Sequence, residues 1–442
     1  MSVFARLFLG IYSLCLFVLQ PVLAIYLFKR SLKQPEYRQA WGQRFLARLP
    51  HFSPVPAGQK RIWVHAVSVG EAHAVSPLVH HWAKVHPQHE WAISCTTPTG
   101  LATCKQLYAG LNNVRFFYLP YDLPWLVKKC VRQVKAHALW IVETEIWPNL
   151  LLGAARQGIH TALLNARVSP TTGKRLAQLQ FISRPVLRSL GTLVCQTEAD
   201  AAVFENLGRK PDAICGNLKF DVALKPELAA IGRSWRASLQ ADQVLLFASS
   251  RDGEEALLLD ALNRCQFFKR MPKASVWIVP RHPQRFEEVF DLMADAATRM
   301  GVARPVRRSA SFNAGNNVAL AGFGQARLVL GDSMSEMPAY YNVADLALLG
   351  GSWLPFGGQN LIEACAYGCP VWMGPHTFNF SKAAQDALAA NAARRFDNLI
   401  SVCDEYLAGH QGTDLAKKAA FAYARSHRGA TQRSFDVLNR AV

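Results

Sequence analysis

Paired cysteines are missing from this 442-residue chain: its ten cysteines are scattered singly from Cys15 to Cys403, with no CxxC and no cysteine–histidine ligand spacing. That excludes a disulfide framework and a structural zinc site, and leaves reduced thiols in a cytosol-facing protein. Internal repeats and low-complexity tracts are absent. The richest glycine loop has no Walker lysine and does not match GxGxxG, which disfavours a P-loop ATPase or a dinucleotide enzyme. Acidic residues are scarce in one half only. Residues 1–220 hold 10 acidic against 25 basic side chains, whereas residues 221–442 hold 21 against 24. The net charge of +18 therefore concentrates in the first half, as expected if that half meets an anionic partner. No aromatic–basic interleaving of the base-stacking kind is present, so a membrane surface is favoured over nucleic acid.

What is present is enough for two domains. Hydrophobic residues make up 50% of the chain, ample for sizeable cores and incompatible with global disorder. Leu7 to Phe28 carries no charged side chain, and its 22 residues are long enough to cross a hydrocarbon core. Arg6 precedes it, and Lys29, Arg30, Lys33, Arg38, Arg44 and Arg48 follow. That asymmetry keeps the body of the protein in the cytoplasm and predicts an uncleaved N-terminal anchor rather than a signal peptide. Gln20-Pro21 is a place where the anchor could bend.

Beyond it, short β-rich runs alternate with helical stretches. Arg61–Val67, Trp91–Cys95, Ala138–Val142, Thr161–Asn165 and Thr192–Cys195 form one series of strands. Val244–Ala248, Ser275–Val279, Arg327–Leu330, Leu346–Leu349 and Pro370–Met373 form a second. The alternation predicts parallel sheets with crossover helices in two domains, with a break near Gly216 and ligands beyond the carboxyl ends of the strands.

The polar residues that could carry chemistry follow those strands. Glu71 sits in a first helical turn, where it is either a benign dipole partner or a general base. Glu143 and Glu145 alternate after an apolar strand, so on extended backbone they point to opposite sides. Lys128, Lys129, Arg132, Lys135, Arg167, Lys174, Arg175, Arg184 and Arg188 supply much of the basic excess. In the second half, Phe247-Ala248-Ser249-Ser250-Arg251-Asp252-Gly253-Glu254-Glu255 follows a strand and opens a helix, as an anion site or as an ordinary cap. Arg281, between two prolines, could offer forked donors to a phosphate. Gly350-Gly351-Ser352-Trp353-Leu354-Pro355-Phe356-Gly357-Gly358-Gln359-Asn360 is the strongest local signal, a loop whose glycines let its amides approach a ligand. Glu363 follows within one turn. Gly331-Asp332-Ser333-Met334-Ser335-Glu336-Met337 and Gly374-Pro375-His376 are further polar turns.

Together these stretches resemble the 3-deoxy-D-manno-octulosonic acid (Kdo) transferases of lipopolysaccharide synthesis. The ordered matches run through His65-Ala-Val-Ser-Val-Gly-Glu71, Glu143-Thr-Glu-Ile-Trp-Pro148, Leu164-Asn-Ala-Arg167, Gly216-Asn-Leu-Lys219, Pro280-Arg-His-Pro283, Gly331–Met337, the double-glycine loop and Gly374–Phe380. The resemblance implies an α/β fold of GT-B type, two Rossmann-like domains facing a central cleft. It divides the chain into an anchor (1–30), an acceptor domain (31–215), a CMP-Kdo domain (216–415) and a C-terminal helix (416–442) crossing back to the first. It further implies inverting transfer of Kdo from CMP-Kdo to a glucosamine hydroxyl of a lipid A precursor, with no metal and no cofactor, at the anionic inner-membrane surface. Glu71 matches the family's proposed general base, and Glu143 and Arg167 match acceptor-side residues. Arg281, Ser333, Glu336, Met337, Asn360 and Glu363 match the CMP-Kdo side, and Lys219 is a candidate partner for the Kdo carboxylate. Ser250-Arg251 stands where Thr-His is common, and Gln359 where His is common. A UDP-sugar transferase acting on another lipid, or a non-catalytic nucleotide-binding scaffold, are the competing readings.

Overall fold

The computed structural model describes residues 2–221, 224–311, 323–409 and 414–441. The chain divides into two compact units, one of Met1–Asp221 with Arg428–Val442 and one of Val222–His427. In the first, strands β1 (Arg61–His65), β2 (Glu90–Cys95), β3 (Val114–Tyr118), β4 (Ala138–Val142), β5 (His160–Ala166), β6 (Thr192–Cys195) and β7 (Ala213–Ile214) form one sheet. Its order is β3-β2-β1-β4-β5-β6-β7, and every pair is parallel. β1 and β4 are buried along their whole length, as required of strands with helices on both faces. The winding direction reverses between β1 and β4, and in sheets of this kind ligands gather where the loops leaving the two strands part to opposite faces.

The second unit repeats the plan. Its strands are β8 (Gln243–Ser250), β9 (Ala274–Pro280), β10 (Val306–Arg307), β11 (Leu328–Leu330), β12 (Leu346–Leu349), β13 (Val371–Met373) and β14 (Ala393–Arg395). They lie in the order β10-β11-β9-β8-β12-β13-β14, again all parallel. The reversal here falls between β8 and β12.

Two boundaries differ from the sequence expectation. The first unit extends through Asp221 rather than ending at 215, because Leu218 N–H donates to Asn165 Oδ1 and holds the segment onto β5. At the other end, only the helix Ala430–Ala441 belongs to the first unit, whereas Asp414–Ser426 belongs to the second. Asp221 ties the returning chain in place by accepting from Gly429 N–H at 2.7 Å and from Thr431 N–H.

The N-terminal segment bends where the sequence allowed it: it forms helix α1 (Val3–Val18) and helix α2 (Gln20–Lys33), at 45° across the break. Gln20-Pro21 explains the bend, since proline cannot continue the hydrogen-bond ladder. Among the described residues no single helix is long and apolar enough to cross a membrane, and only the bent pair passes on length and composition. One face of α1 packs on the first unit through Phe8, Leu9 and Leu16. Tyr12 Oη donates to Asp122 Oδ2 at 3.1 Å, and Ser13 Oγ accepts from the Asn149 side chain. Asp122 in turn accepts the amides of Asn149 and Leu150, which start the helix Pro148–Arg156. The opposite face of α1 exposes Leu7, Ile11, Leu14 and Val18, a helical stripe at spacings of three and four.

A buried carboxylate that both caps one helix and docks another should be costly to lose. Asp122→Ala is expected to lower the stability of the first unit by about 2–3 kcal/mol and Tyr12→Phe by about 1 kcal/mol, read from urea unfolding midpoints.

Candidate active site

Glu71 follows β1 at the switch point of the first sheet. Ser68 is the N-cap of the helix Val69–Val85, with extended backbone, and Glu71 is three residues on, the spacing of a capping box. Both carboxylate oxygens are held: Oε2 accepts from Val67 N–H at 2.8 Å, and Oε1 accepts from Ser68 Oγ at 2.9 Å. Only 8% of the side chain is exposed. Burial pushes the carboxyl up to about 7, against the two hydrogen bonds that stabilise its ionised form, and Glu143 and Glu145 add a little to the rise. A carboxyl tuned to neutrality suits a proton acceptor, because it is ionised often enough to act and basic enough to take a proton.

Across the switch point, after β4, Glu143 and Thr144 form a turn, and Glu143 has φ +63°. The extended alternation expected of Glu143 and Glu145 is therefore absent, and both carboxylates raise Glu71. Glu143 is fixed by its own N–H to Leu164 O and by two cations, Lys219 Nζ at 2.6 Å and Arg167 Nε at 3.1 Å. These cations hold its carboxyl below the usual range even though burial opposes them. The three come together because β5 carries an irregularity between Leu163 and Ala166, where Asn165 takes φ +54°. Asparagine tolerates that left-handed backbone, and its side-chain Oδ1, accepting from Leu218 N–H, fixes the 217–220 turn that presents Lys219. Lys219, expected beside the donor's carboxylate, thus lies in the first unit as a partner of Glu143.

The second unit gathers its polar residues at the same edge. β8 shifts register between Ala248 and Ser250, with Ser249 at φ +58°. Beside it, a Cβ on Gly350 would lie 2.1 Å from Ser249 O, so only glycine lets β12 leave the sheet here. The double-glycine loop, however, does not leave its amides open to a ligand. Gly351, Trp353 and Leu354 N–H all donate to the fully buried Glu254 carboxylate, at 2.7, 3.0 and 3.3 Å, and Arg251 N–H does so at 2.8 Å. Glu254 occupies the place an anion would take.

Positive charge instead comes from side chains. Arg281 follows β9, with its N–H on Ser250 O, and Arg251 is its charged neighbour. Neither forms an ion pair with a carboxylate among the described residues; Arg251 rests on the Phe356 ring, 4.7 Å from its centroid. Two adjacent guanidiniums that repel each other and stay charged form a site prepared for an anion. Ser333 and Glu336 meet directly, and Glu336 also takes Arg308 at 2.7 Å, so its carboxylate braces the turn. Met337 begins the next helix, with its sulfur 4.0 Å from Ser249 Oγ. Asn360 caps the helix Leu361–Ala366 by accepting from Ile362 N–H. Glu363 lies half-buried in that helix; burial raises its carboxyl, opposed by Lys225. Among the described residues, no hydrogen bond or ion pair joins Asn360 or Glu363 to the Ser333 turn. Arg251 and Glu254 were visible in sequence only as part of an anion-or-cap alternative. The structure divides the roles between them: Glu254 accepts the loop amides and Arg251 supplies charge, while the helix itself starts after Gly253 with no side-chain cap. Among the described residues, no three histidine, cysteine or carboxylate side chains gather as metal ligands.

Two Rossmann-type units, each with polar side chains collected at the switch point of a parallel sheet, define the fold class of the GT-B glycosyltransferases. Solved structures share that fold. A UDP-GlcNAc 2-epimerase from Neisseria meningitidis superposes with a TM-score of 0.55 at 14% identity, covering 86% of this chain and 100% of its own. A glycosyltransferase from Rickettsia africae gives 0.54 at 12%, covering 87% and 99%. Sequence comparison is more specific. The chain is 34% identical over 436 residues to the 3-deoxy-D-manno-octulosonic acid transferase of Bordetella pertussis, covering 97% of this chain and 98% of the relative. It is 28% identical to that of Haemophilus influenzae, covering 97% of each. Residues 39–222 match the family described as 3-deoxy-D-manno-octulosonic-acid transferase (kdotransferase). The chain belongs to the 3-deoxy-D-manno-octulosonic acid transferase family and is a glycosyltransferase.

Removing the plug beneath the glycine loop strands four amides. Glu254→Ala is expected to destabilise the second unit by about 3–5 kcal/mol and Glu254→Gln by less than that, measured by urea unfolding.

Proposed function

We propose that this enzyme moves Kdo from CMP-Kdo to a glucosamine hydroxyl of a lipid A precursor, with inversion at the anomeric carbon. The observation that carries the reading is Glu71, a buried carboxyl held by Val67 and Ser68 at the switch point and raised to about 7. Its carboxylate takes the proton of the acceptor hydroxyl as that oxygen bonds to the anomeric carbon. The bond from that carbon to the cytidylate phosphate breaks, and the electron pair leaves with cytidylate. Arg281 and Arg251 meet the phosphate charge that remains, a stabilisation that grows as the bond breaks. The Ser333 turn, braced by Glu336, and the Met337 helix start shape the same side, with Asn360 and Glu363 addressing nucleotide and sugar hydroxyls.

On the acceptor side, Glu143 lies too low to compete for the proton, because Lys219 and Arg167 hold it ionised. Its role is positional. We assign Lys219 to bracing Glu143 rather than to the donor's carboxylate, as its ammonium lies 2.6 Å from Glu143 Oε1. The basic first half and the exposed apolar stripe of α1 support a place at the cytoplasmic face of the inner membrane, against anionic lipid.

Purified enzyme given CMP-Kdo or UDP-sugars with a lipid A precursor should yield a Kdo-bearing product by mass spectrometry only with CMP-Kdo; a hexose product would overturn the donor assignment. Glu71→Gln should lower kcat by about 10²–10⁴-fold. In the parent, the base must be ionised, so kcat/KM should rise with pH through about 7, and this limb should vanish from the residual activity of the variant. The sign of the stability effect is opposite. A carboxyl raised in the folded state favours folding when protonated, so its ionisation costs stability progressively from pH 4.5 to about 7. Glu71→Gln should therefore melt higher than the parent at pH 8, and the two should converge below pH 4.5.

A further inference from the structure

A second concentration of positive charge lies well away from Glu71. A cavity of about 760 Å³ in the first unit is lined by Arg6 of α1, Arg156, Arg184 and Arg188, with Leu152 and Phe181 as apolar walls. Among the described residues no carboxylate lines it. None of the four arginines forms an ion pair among the described residues, and all four are exposed. Arg184 and Arg188 are one turn apart at the end of the helix Gln180–Leu187, a like-charge spacing that costs helix stability unless an anion lies between them. Topology places the cavity at the edge opposite the reaction. Arg156 ends the helix that leads into β5, and Arg188 ends the helix that leads into β6. Both therefore sit where strands begin, whereas Glu71 and Glu143 sit where strands end.

The cavity also adjoins the exposed apolar side of α1. Phe4 packs against Phe181 with ring centroids 4.9 Å apart, and Val3, Phe4 and Leu7 beside Arg6 are 83%, 61% and 61% exposed. Because α1 lies along the unit and exposes apolar side chains over its whole length, its outer face can enter a leaflet only with the helix axis in the plane of the membrane. In that pose Phe4 and Leu7 reach the acyl region, and the four guanidiniums stand at headgroup depth, where forked donors match phosphate oxygens.

The geometry points to a headgroup site: the Arg6–Arg156–Arg184–Arg188 cavity binds the phosphate of an anionic glycerophospholipid and seats the N-terminal helix pair in one leaflet. The inference rests on the membrane-facing reading of α1 but not on the identity of donor or acceptor.

The test is flotation of the full chain with phosphatidylcholine vesicles, with and without phosphatidylglycerol. Arg184→Glu with Arg188→Glu is compared with Lys269→Glu with Arg270→Glu, an equal charge change on the second unit at side chains that are also exposed. The cavity variant should lose about twentyfold or more in affinity for phosphatidylglycerol vesicles and keep the parent's weak binding to phosphatidylcholine. The control pair should stay within about twofold. Equal losses in both variants, or no loss in either, overturn the proposal. If millimolar inorganic phosphate displaces the parent from phosphatidylglycerol vesicles at constant ionic strength, the ligand is free phosphate, and the lipid assignment fails. Should the double reversal not fold, Arg184→Gln with Arg188→Gln replaces it, with a smaller loss expected in the same direction. Turnover on a detergent-dispersed acceptor should be unchanged in the cavity variant, so failure of the headgroup site and failure of the proposed reaction are read separately.

Discussion

Carboxylates bonded to main-chain amides hold this protein's working edges in shape. Glu71 takes Val67 N–H, Asp122 takes Asn149 and Leu150, Asp200 takes Val168, and Asp212 takes Leu193. In the second unit Glu254 takes four amides at once. A charge-assisted bond of this kind is among the stronger ones available, and inside a protein it fixes a loop that would otherwise have unsatisfied donors. The first half has only ten acidic residues, and these uses draw on most of the buried ones. Glu90 is likewise committed to Arg61, and Glu143 to Lys219 and Arg167. Few acidic residues remain for the other basic side chains of this half, so the positive surface follows from where the acids are placed as well as from the count.

The same interaction serves different ends at the two switch points, although burial raises both carboxyls. At Glu71 two hydrogen bonds favour the anion and burial disfavours it, and burial wins, which leaves the group near neutrality and able to exchange a proton. At Glu254 a fully buried carboxyl is encircled by amides and has no opening to a substrate; it serves as scaffold. Glu143 is a third case, in which two cations outweigh burial and the group stays ionised. Three glutamates, each following a strand, are separated in role by what surrounds them.

The central strands were legible because each is a continuous apolar run between turn residues. The four strands the pattern did not reveal are β3, β7, β10 and β14, and these are the outer strands of the two sheets. They are short or carry arginine, as Arg115, Arg307 and Arg394 do, and an edge strand needs neither a long apolar run nor burial on both faces. Site positions were legible wherever a polar residue directly follows a strand, which applies to Glu71, Glu143 and Arg281. Partnerships were not. That Lys219 belongs with Glu143 depends on the irregularity at Asn165, and that Glu254 fills the glycine loop depends on a contact across nearly a hundred residues. The bend at Gln20-Pro21 was visible as a possibility in the proline, but the docking of α1 through Tyr12 required Asp122, which lies 110 residues away in sequence.

Asp221 also governs the covalent path of the chain. By accepting from Gly429 and Thr431 it brings the chain leaving the first unit within hydrogen-bond distance of the chain coming back. In genetic terms, residues between these points are a cassette inserted into a host whose two cut ends already touch. Such a host could be closed by a linker of a few residues, and a different cassette could enter at the same seam without stretching the backbone on either side.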